Sequence, residues 1–157
     1  MEPDAQHPAK LDALNARILE ILEREGRISN ADLAARVGLS ASACLRRVQE
    51  LERTGIIKGY RAVLARERLG VGITAFVAVG LSRHDRESAL AFERAMQAAP
   101  EVRECHNVTG AIEYLLRVEA SSLEAYKDFH SNVLGTLPVV ASITSHIALG
   151  TAKDLRG

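Results

Sequence analysis

Between Ser40 and Gln49 the chain reads SASACLRRVQ, with two arginines and no acid, although its 20 basic and 20 acidic residues cancel overall. The hydroxyls of Ser40 and Ser42, the guanidinium groups of Arg46 and Arg47 and the carboxamide of Gln49 suit phosphate oxygens and base edges. Small side chains at Ala41, Ser42 and Ala43 would let a helix approach a duplex closely. One turn further in, Arg46 and Arg47 could reach guanine or phosphate, and Gln49 adenine or phosphate. Lys58 and Arg61 add positive charge shortly downstream. Taken alone, an adjacent arginine pair is more simply two solvated charges on a surface helix. The surrounding elements decide between the two readings.

Those elements are three helices with clear punctuation. In LDALNARILEILEREG, Leu11, Leu14, Ile18, Ile21, Leu22 and Glu25 trace a helical stripe that Gly26 ends. In ISNADLAARVG, Ser29 and Asp32 form a capping-box pattern, Leu33, Ala34 and Val37 make the buried side, and Gly38 stops the helix. The third helix starts at Ser40, its expected N-cap, and stops at Gly55. Cys44, Leu45, Val48 and Leu51 are expected on its apolar side, with Ser42, Arg46, Gln49 and Arg53 on the other. The tight VGLS connection into a basic helix is the helix-turn-helix pattern. Next, IIKGYRAVL suggests a small β-hairpin, a wing turning at Lys58-Gly59. ARERLGVG follows as a charged linker.

The rest of the chain repeats one unit. ITAFVAVGL is a strand, RESALAFERAMQAA a helix with Phe92, Met96 and Ala99 inward, and EVRECHNVTG a strand. EYLLRVEA is a third strand. SSLEAYKDFHSNVLGT is a helix expected to turn Leu123, Tyr126, His130, Val133 and Leu137 to one side, and VVASITSHIALG closes the set. Pro100 and Pro138 end the two helices just ahead of their strands. Two strand-helix-strand units in series predict a ferredoxin-like βαββαβ fold. The fold class is therefore α+β: a winged helix-turn-helix over residues 10–61, a linker over 62–71 and the ferredoxin-like unit over 72–150. In the first strand Ile73, Ala75, Val77, Val79 and Leu81 line one face, while Phe76, Ala78 and Gly80 line the other. A strand apolar on both faces calls for a cover, and a second copy of the sheet is the simplest one. An interior strand with an irregular outer face is the alternative.

Overall neutrality excludes a general polyanion binder and makes any DNA contact local. Cys44 and Cys105 are far apart and form no CxxC pair, which argues against a disulfide scaffold. Cys44 belongs to an apolar helix face. Cys105 and His106 are neighbours on a strand, so alternation sends them to opposite faces and disfavours joint metal ligation. His130 and His146 have no partner at ligand spacing. No metal, cofactor or catalytic residue is expected. MEPDAQHPAK is polar, and no run approaches the ~20 apolar residues of a membrane span. The expectation is a cytoplasmic protein with no membrane partner.

The segments GRISNADLAARVGLS, CLRRVQELERTGIIKGY, and TG followed by YLLRV closely resemble the Lrp/AsnC family of leucine-responsive and asparagine-synthesis regulators, over roughly residues 10 to 150. The resemblance implies a DNA-binding transcription regulator with an amino-acid-sensing C-terminal domain, built as dimers that often assemble into octamers. The DNA-contact set is then Ser40, Ser42, Ala43, Arg46, Arg47, Gln49 and Lys58. The effector cleft is expected around Thr109, Gly110, Ala111, Glu113 and Ser145.

The chain departs from the family pattern in that cleft. Where the family has an aspartate pair after Thr-Gly, this chain has Ala111 and Glu113. Val139 replaces a glycine after Leu-Pro, and Ile143 replaces the first residue of a Thr-x-Thr pair, leaving Ser145. An amino acid's ammonium and carboxylate need polar partners once desolvated. Glu113 suits the first, and backbone N–H groups near Gly110 the second. A more apolar amino acid, a different small molecule and no effector all remain open, as does Glu113 as a solvated turn residue. The alternatives to an effector-controlled regulator are an architectural DNA binder without effector and a tetrapyrrole-processing enzyme on a similar pair of domains.

Overall fold

A computed structural model describes residues 11–154, so Lys10, the first residue of the expected DNA-binding unit, lies outside the described residues. The chain divides into two compact units, one up to Ala62 and one from Val63.

The first unit holds α1 (Ala13–Arg24), α2 (Asn30–Val37) and α3 (Ala41–Arg53). Each starts at a side-chain cap. Asp12 accepts the Asn15 N–H, Ser29 the Asp32 N–H and Ser40 the Ala43 N–H, satisfying donors that a first turn leaves without partners. Gly38 ends α2 at φ 73°, in the left-handed region that glycine enters without a Cβ clash. The core of this unit is Ile18, Leu33, Ala34, Val37, Cys44 and Leu51.

Three expectations fail here. Leu11, assigned to the stripe of the first helix, lies before the Asp12 cap and is 42% exposed. Leu45, assigned to the apolar side of α3, is 45% exposed. The wing hairpin does not form, and no strand runs through residues 56–65. The Ile57 N–H donates to the Leu51 carbonyl at 3.0 Å, and the Tyr60 hydroxyl donates to Glu52 at 2.9 Å. Both halves of the would-be hairpin are thus drawn back onto α3.

The second unit contains β1 (Ile73–Leu81), α4 (Arg86–Ala98), β2 (Val102–Asn107), β3 (Tyr114–Ala120), α5 (Leu123–Phe129) and β4 (Val140–Ile147). The sheet is antiparallel in the order β2-β3-β1-β4, the βαββαβ arrangement expected. Ala75, Val77 and Val79 of β1 and Leu116 and Val118 of β3 pack with Phe92 and Met96 of α4 and Tyr126 and Phe129 of α5. The α5 stripe differs from expectation. Leu123 is exposed, while Phe129 and Leu134 are buried. Leu123 is the first residue of α5, ahead of the buried turns. From His130 a π-turn, His130–Leu134, with the Gly135 N–H reaching the His130 carbonyl at 2.9 Å, adds a residue and brings Leu134 rather than Val133 into the core.

The stretch expected as a linker is partly anchored. Arg66 opens a short 3-10 turn, Arg66–Leu69, and lies 3.7 Å from Glu119. The Gly72 N–H bonds the Ala120 carbonyl, and a Cβ at Gly72 would collide with the Ser121 carbonyl.

The sheet face away from the helices is mixed. Phe76 is 38% exposed and pairs across to Arg117 and His146. Beside it Glu119 is buried and holds Arg117 at 2.8 Å, with Arg66 and Arg103 each at 3.7 Å.

Candidate DNA interface and effector site

The first turns of α3 sort the expected DNA contacts by what each side chain already touches. Ser40 is the N-cap, and its hydroxyl also lies 3.3 Å from that of Ser42. Ala43 is half-buried. Arg46 and Gln49 are exposed on the same side as Ser42, and no ion pair engages Arg46 among the described residues. The seven expected contacts do not form one surface. Arg47 turns the other way, where its Nη1 donates to Asp12 at 2.6 Å and to Asn15 at 3.0 Å. That guanidinium ties α3 to the start of α1 and is not offered outward as expected. Lys58 lines a groove with Leu19, Leu22, Glu23, Ile57 and Tyr60, to which α3 contributes no residue.

Two supports of this surface escape a sequence reading. The Asn30 carboxamide donates to the Ala41 carbonyl at 2.8 Å, fixing the α2–α3 turn. Asp12 both caps α1 and anchors Arg47. The Asn15 N–H, then Arg47, hold its carboxyl below the usual aspartate range. Asp12 ahead of a periodic apolar run is a legible cap signal; its partner 35 residues away is not.

In the second unit, the loop between β2 and β3 carries Thr109, Gly110 and Ala111, all exposed, with Gly110 at φ 126°. The Val108 N–H bonds the Glu113 carbonyl at 2.9 Å and closes the loop. Glu113 is not a solvated turn residue. Its Oε2 accepts the Leu81 N–H at 2.7 Å, and its Oε1 lies 2.9 Å from His84 Nδ1. The carboxylate therefore sits at the end of β1, beside Gly80. A Cβ there would collide with the Ser142 hydroxyl and lie 3.8 Å from Glu113 Oε2.

Ser145 does not join this group. It pairs with Val77 on the helix-covered face, and its hydroxyl bonds that of Tyr126. Ser142 of β4, absent from the expected cleft, pairs with Gly80, beside which Glu113 Oε2 also lies. Cys105 and His106 take opposite faces, pairing with Leu116 and Leu115. Burial, then Glu93, pushes the Cys105 thiol up to about 11, far from the thiolate a ligand or nucleophile needs.

Residues 11–58 match the family model described as winged helix-turn-helix DNA-binding, and residues 74–157 match the Lrp/AsnC ligand binding domain. The chain belongs to the Lrp/AsnC family. This regulator is 39% identical over 145 residues to the leucine-responsive regulatory protein of Rhizobium meliloti, covering 92% of this chain and 93% of that one. It is 42% identical over 141 residues to the Bkd operon transcriptional regulator of Pseudomonas aeruginosa, covering 90% and 92%. Its fold matches a Neisseria meningitidis transcriptional regulator solved in complex with L-Met, at TM-score 0.88, 33% identity and 92% and 93% coverage. The Lrp/AsnC chain is thus a DNA-binding transcription regulator with a ligand-binding domain, not a tetrapyrrole enzyme. Among its described residues no helix is long and apolar enough to cross a membrane.

Proposed function

We propose that this regulator reads its operator with the outer side of α3 and is controlled by an amino acid held near Glu113. Residues 10–61 form the DNA-binding domain, 62–71 the connection and 72–150 the effector and assembly domain. Ser42, Arg46 and Gln49 face the major groove, with Ala43 allowing close approach and Lys58 contributing charge at its edge. Ser40 and Arg47 serve the interface indirectly, by starting and bracing the helix. In a two-fold dimer, two such helices enter successive major grooves ~34 Å apart.

The observation that carries the effector assignment is the Glu113 carboxylate, half-buried at the end of β1 with one oxygen on the Leu81 N–H and the other on exposed His84. An α-ammonium can replace His84 as the partner of Oε1 while the Leu81 N–H keeps Oε2. Thr109, Gly110 and Ala111 offer the polar and backbone groups that a carboxylate needs. The Neisseria relative's complex with L-Met supports the class of ligand. The half-exposed Phe76 and its apolar neighbour Ala78 support a second copy over the outer sheet face, hence a homodimer, with an octamer as its higher assembly. Effector binding then alters DNA wrapping only by favouring one assembly over another.

Thermal shift across the twenty amino acids tests the assignment. At least one amino acid is expected to raise the midpoint, and Glu113→Gln to abolish that rise. If none raises it, the effector-independent architectural binder takes its place.

A further inference from the structure

Leu45 is the residue of α3 whose surroundings contradict its chemistry. The core side of the helix is already complete, with Cys44 and Leu51 buried and Val48 packed against them. Leu45 lies outside that side, 45% exposed. A single exposed leucine is ordinary on a protein surface. This one stands among Ser42, Arg46 and Gln49, on the side the regulator turns to DNA.

Helical spacing sets its neighbours. Leu45 and Gln49 are four residues apart, and Ser42 and Leu45 three apart, so the three side chains lie along one strip. Side chains on a helix tilt toward its N-terminus, which carries Leu45 over the turns that enter the groove first. The major-groove edge of an A·T pair offers two features that match this strip. Thymine presents an apolar 5-methyl group, and adenine presents N7 and N6 to a carboxamide. A leucine in that strip desolvates productively only against an apolar group, and the thymine methyl is the only one on the major-groove edges.

We propose that Leu45 is a specificity-determining residue that packs on the 5-methyl of a thymine, with Gln49 hydrogen-bonding an adenine in the same A·T-rich step. The inference rests on the assignment of α3 as the reading helix. Burial of one methyl changes affinity by about three- to fivefold, which is the size of effect to look for.

The experiment selects duplexes from a random library with the full-length wild-type chain, then replaces each thymine of the enriched sequence by deoxyuridine, one at a time. Deoxyuridine keeps every hydrogen-bonding group and deletes only the methyl. Binding is measured for wild type and for Leu45→Ala, whose melting midpoint should be unchanged because the side chain is exposed. The expected result is one thymine per half-site at which deoxyuridine weakens wild type about three- to fivefold and leaves Leu45→Ala unaffected. If a sequence is enriched but deoxyuridine costs both proteins equally, or neither, the Leu45 assignment is overturned while α3 remains the reading helix. If no sequence is enriched, sequence-specific reading itself fails, and the inference with it.

Discussion

Arg47 of α3 donates to Asp12 at 2.6 Å, although the two residues are 35 positions apart and Asp12 is also the N-cap of α1. One carboxylate thus starts the first helix and orients the third. The relationship separates two adjacent arginines into different jobs. Arg47→Ala is expected to lower the thermal midpoint of the N-terminal unit by a few degrees, the order that one partly exposed charge-assisted bond supplies. Arg46→Ala is expected to leave that midpoint where it is. Differential scanning calorimetry of the two variants makes the comparison, and equal midpoints would show that Arg47 braces nothing.

Ser40 can be tested as a cap independently of any contact with DNA. Ser40→Ala removes the acceptor for the Ala43 N–H and should cost about 1 kcal/mol. Ser40→Asp restores a good cap and puts a negative charge at the start of the reading helix. It should therefore keep the stability of wild type in urea melts and still bind duplex DNA more weakly. A Ser40→Asp protein that binds DNA as wild type does would place this end of α3 away from the phosphates.

Asp12 and Asp85 are both N-caps, and both carboxyls titrate below the ordinary aspartate value. For Asp12 the leading cause is the Asn15 N–H, and for Asp85 it is the Ser88 N–H. A group whose folded pKa is depressed binds fewer protons in the native state, so its contribution is present above the unfolded value, about 3.9. That contribution is lost as pH falls through the lower, folded value. Carboxyl chemical shifts followed from pH 6 downward should give midpoints for Asp12 and Asp85 below those of unbonded aspartates. Replacing Asn15 by proline deletes the donor, and replacing Arg47 by alanine deletes the second cause; the first should move Asp12 further.

The Tyr126–Ser145 hydroxyl pair joins α5 to β4, an otherwise exposed edge strand. Tyr126→Phe and Ser145→Ala should each cost about 1 kcal/mol. Because each deletes the same bond, the double variant should cost less than the sum of the two. Strict additivity in urea unfolding would mean that the bond contributes nothing.

The sequence made the skeleton of the molecule legible for physical reasons that are local. Ser29, Ser40 and Gly38 act within three or four residues of themselves, and the period-two run from Ile73 to Leu81 is a strand over that full span. Pattern fails where a tertiary partner overrides it. Leu45 fits the apolar arc of an isolated α3, but Cys44, Val48 and Leu51 already fill the space against α1 and α2. Tyr60 abandons the expected hairpin for Glu52. In the candidate effector site, the family resemblance alone pointed to Glu113, whereas its bond to the Leu81 N–H depends on how β1 ends. Ser145 illustrates how strand alternation decides the matter: the odd positions of β4 face the helices, so Ser142 rather than Ser145 lies on the side of Gly80 and the Glu113 carboxylate.

The central claim is that α3 reads DNA through Arg46 while Arg47 holds the helix in place. Fluorescence anisotropy with the duplex upstream of the regulator's own gene, at several salt concentrations, tests it directly against Arg46→Ala. Wild type should prefer this duplex to a scrambled one, with log affinity falling by about 0.9 per phosphate contact for each tenfold rise in salt. Arg46→Ala should bind more weakly, and its slope should drop by about 1 if Arg46 meets phosphate, or keep its value with relaxed preference if Arg46 meets guanine. An Arg46→Ala protein that matches wild type in affinity, slope and preference would contradict the account.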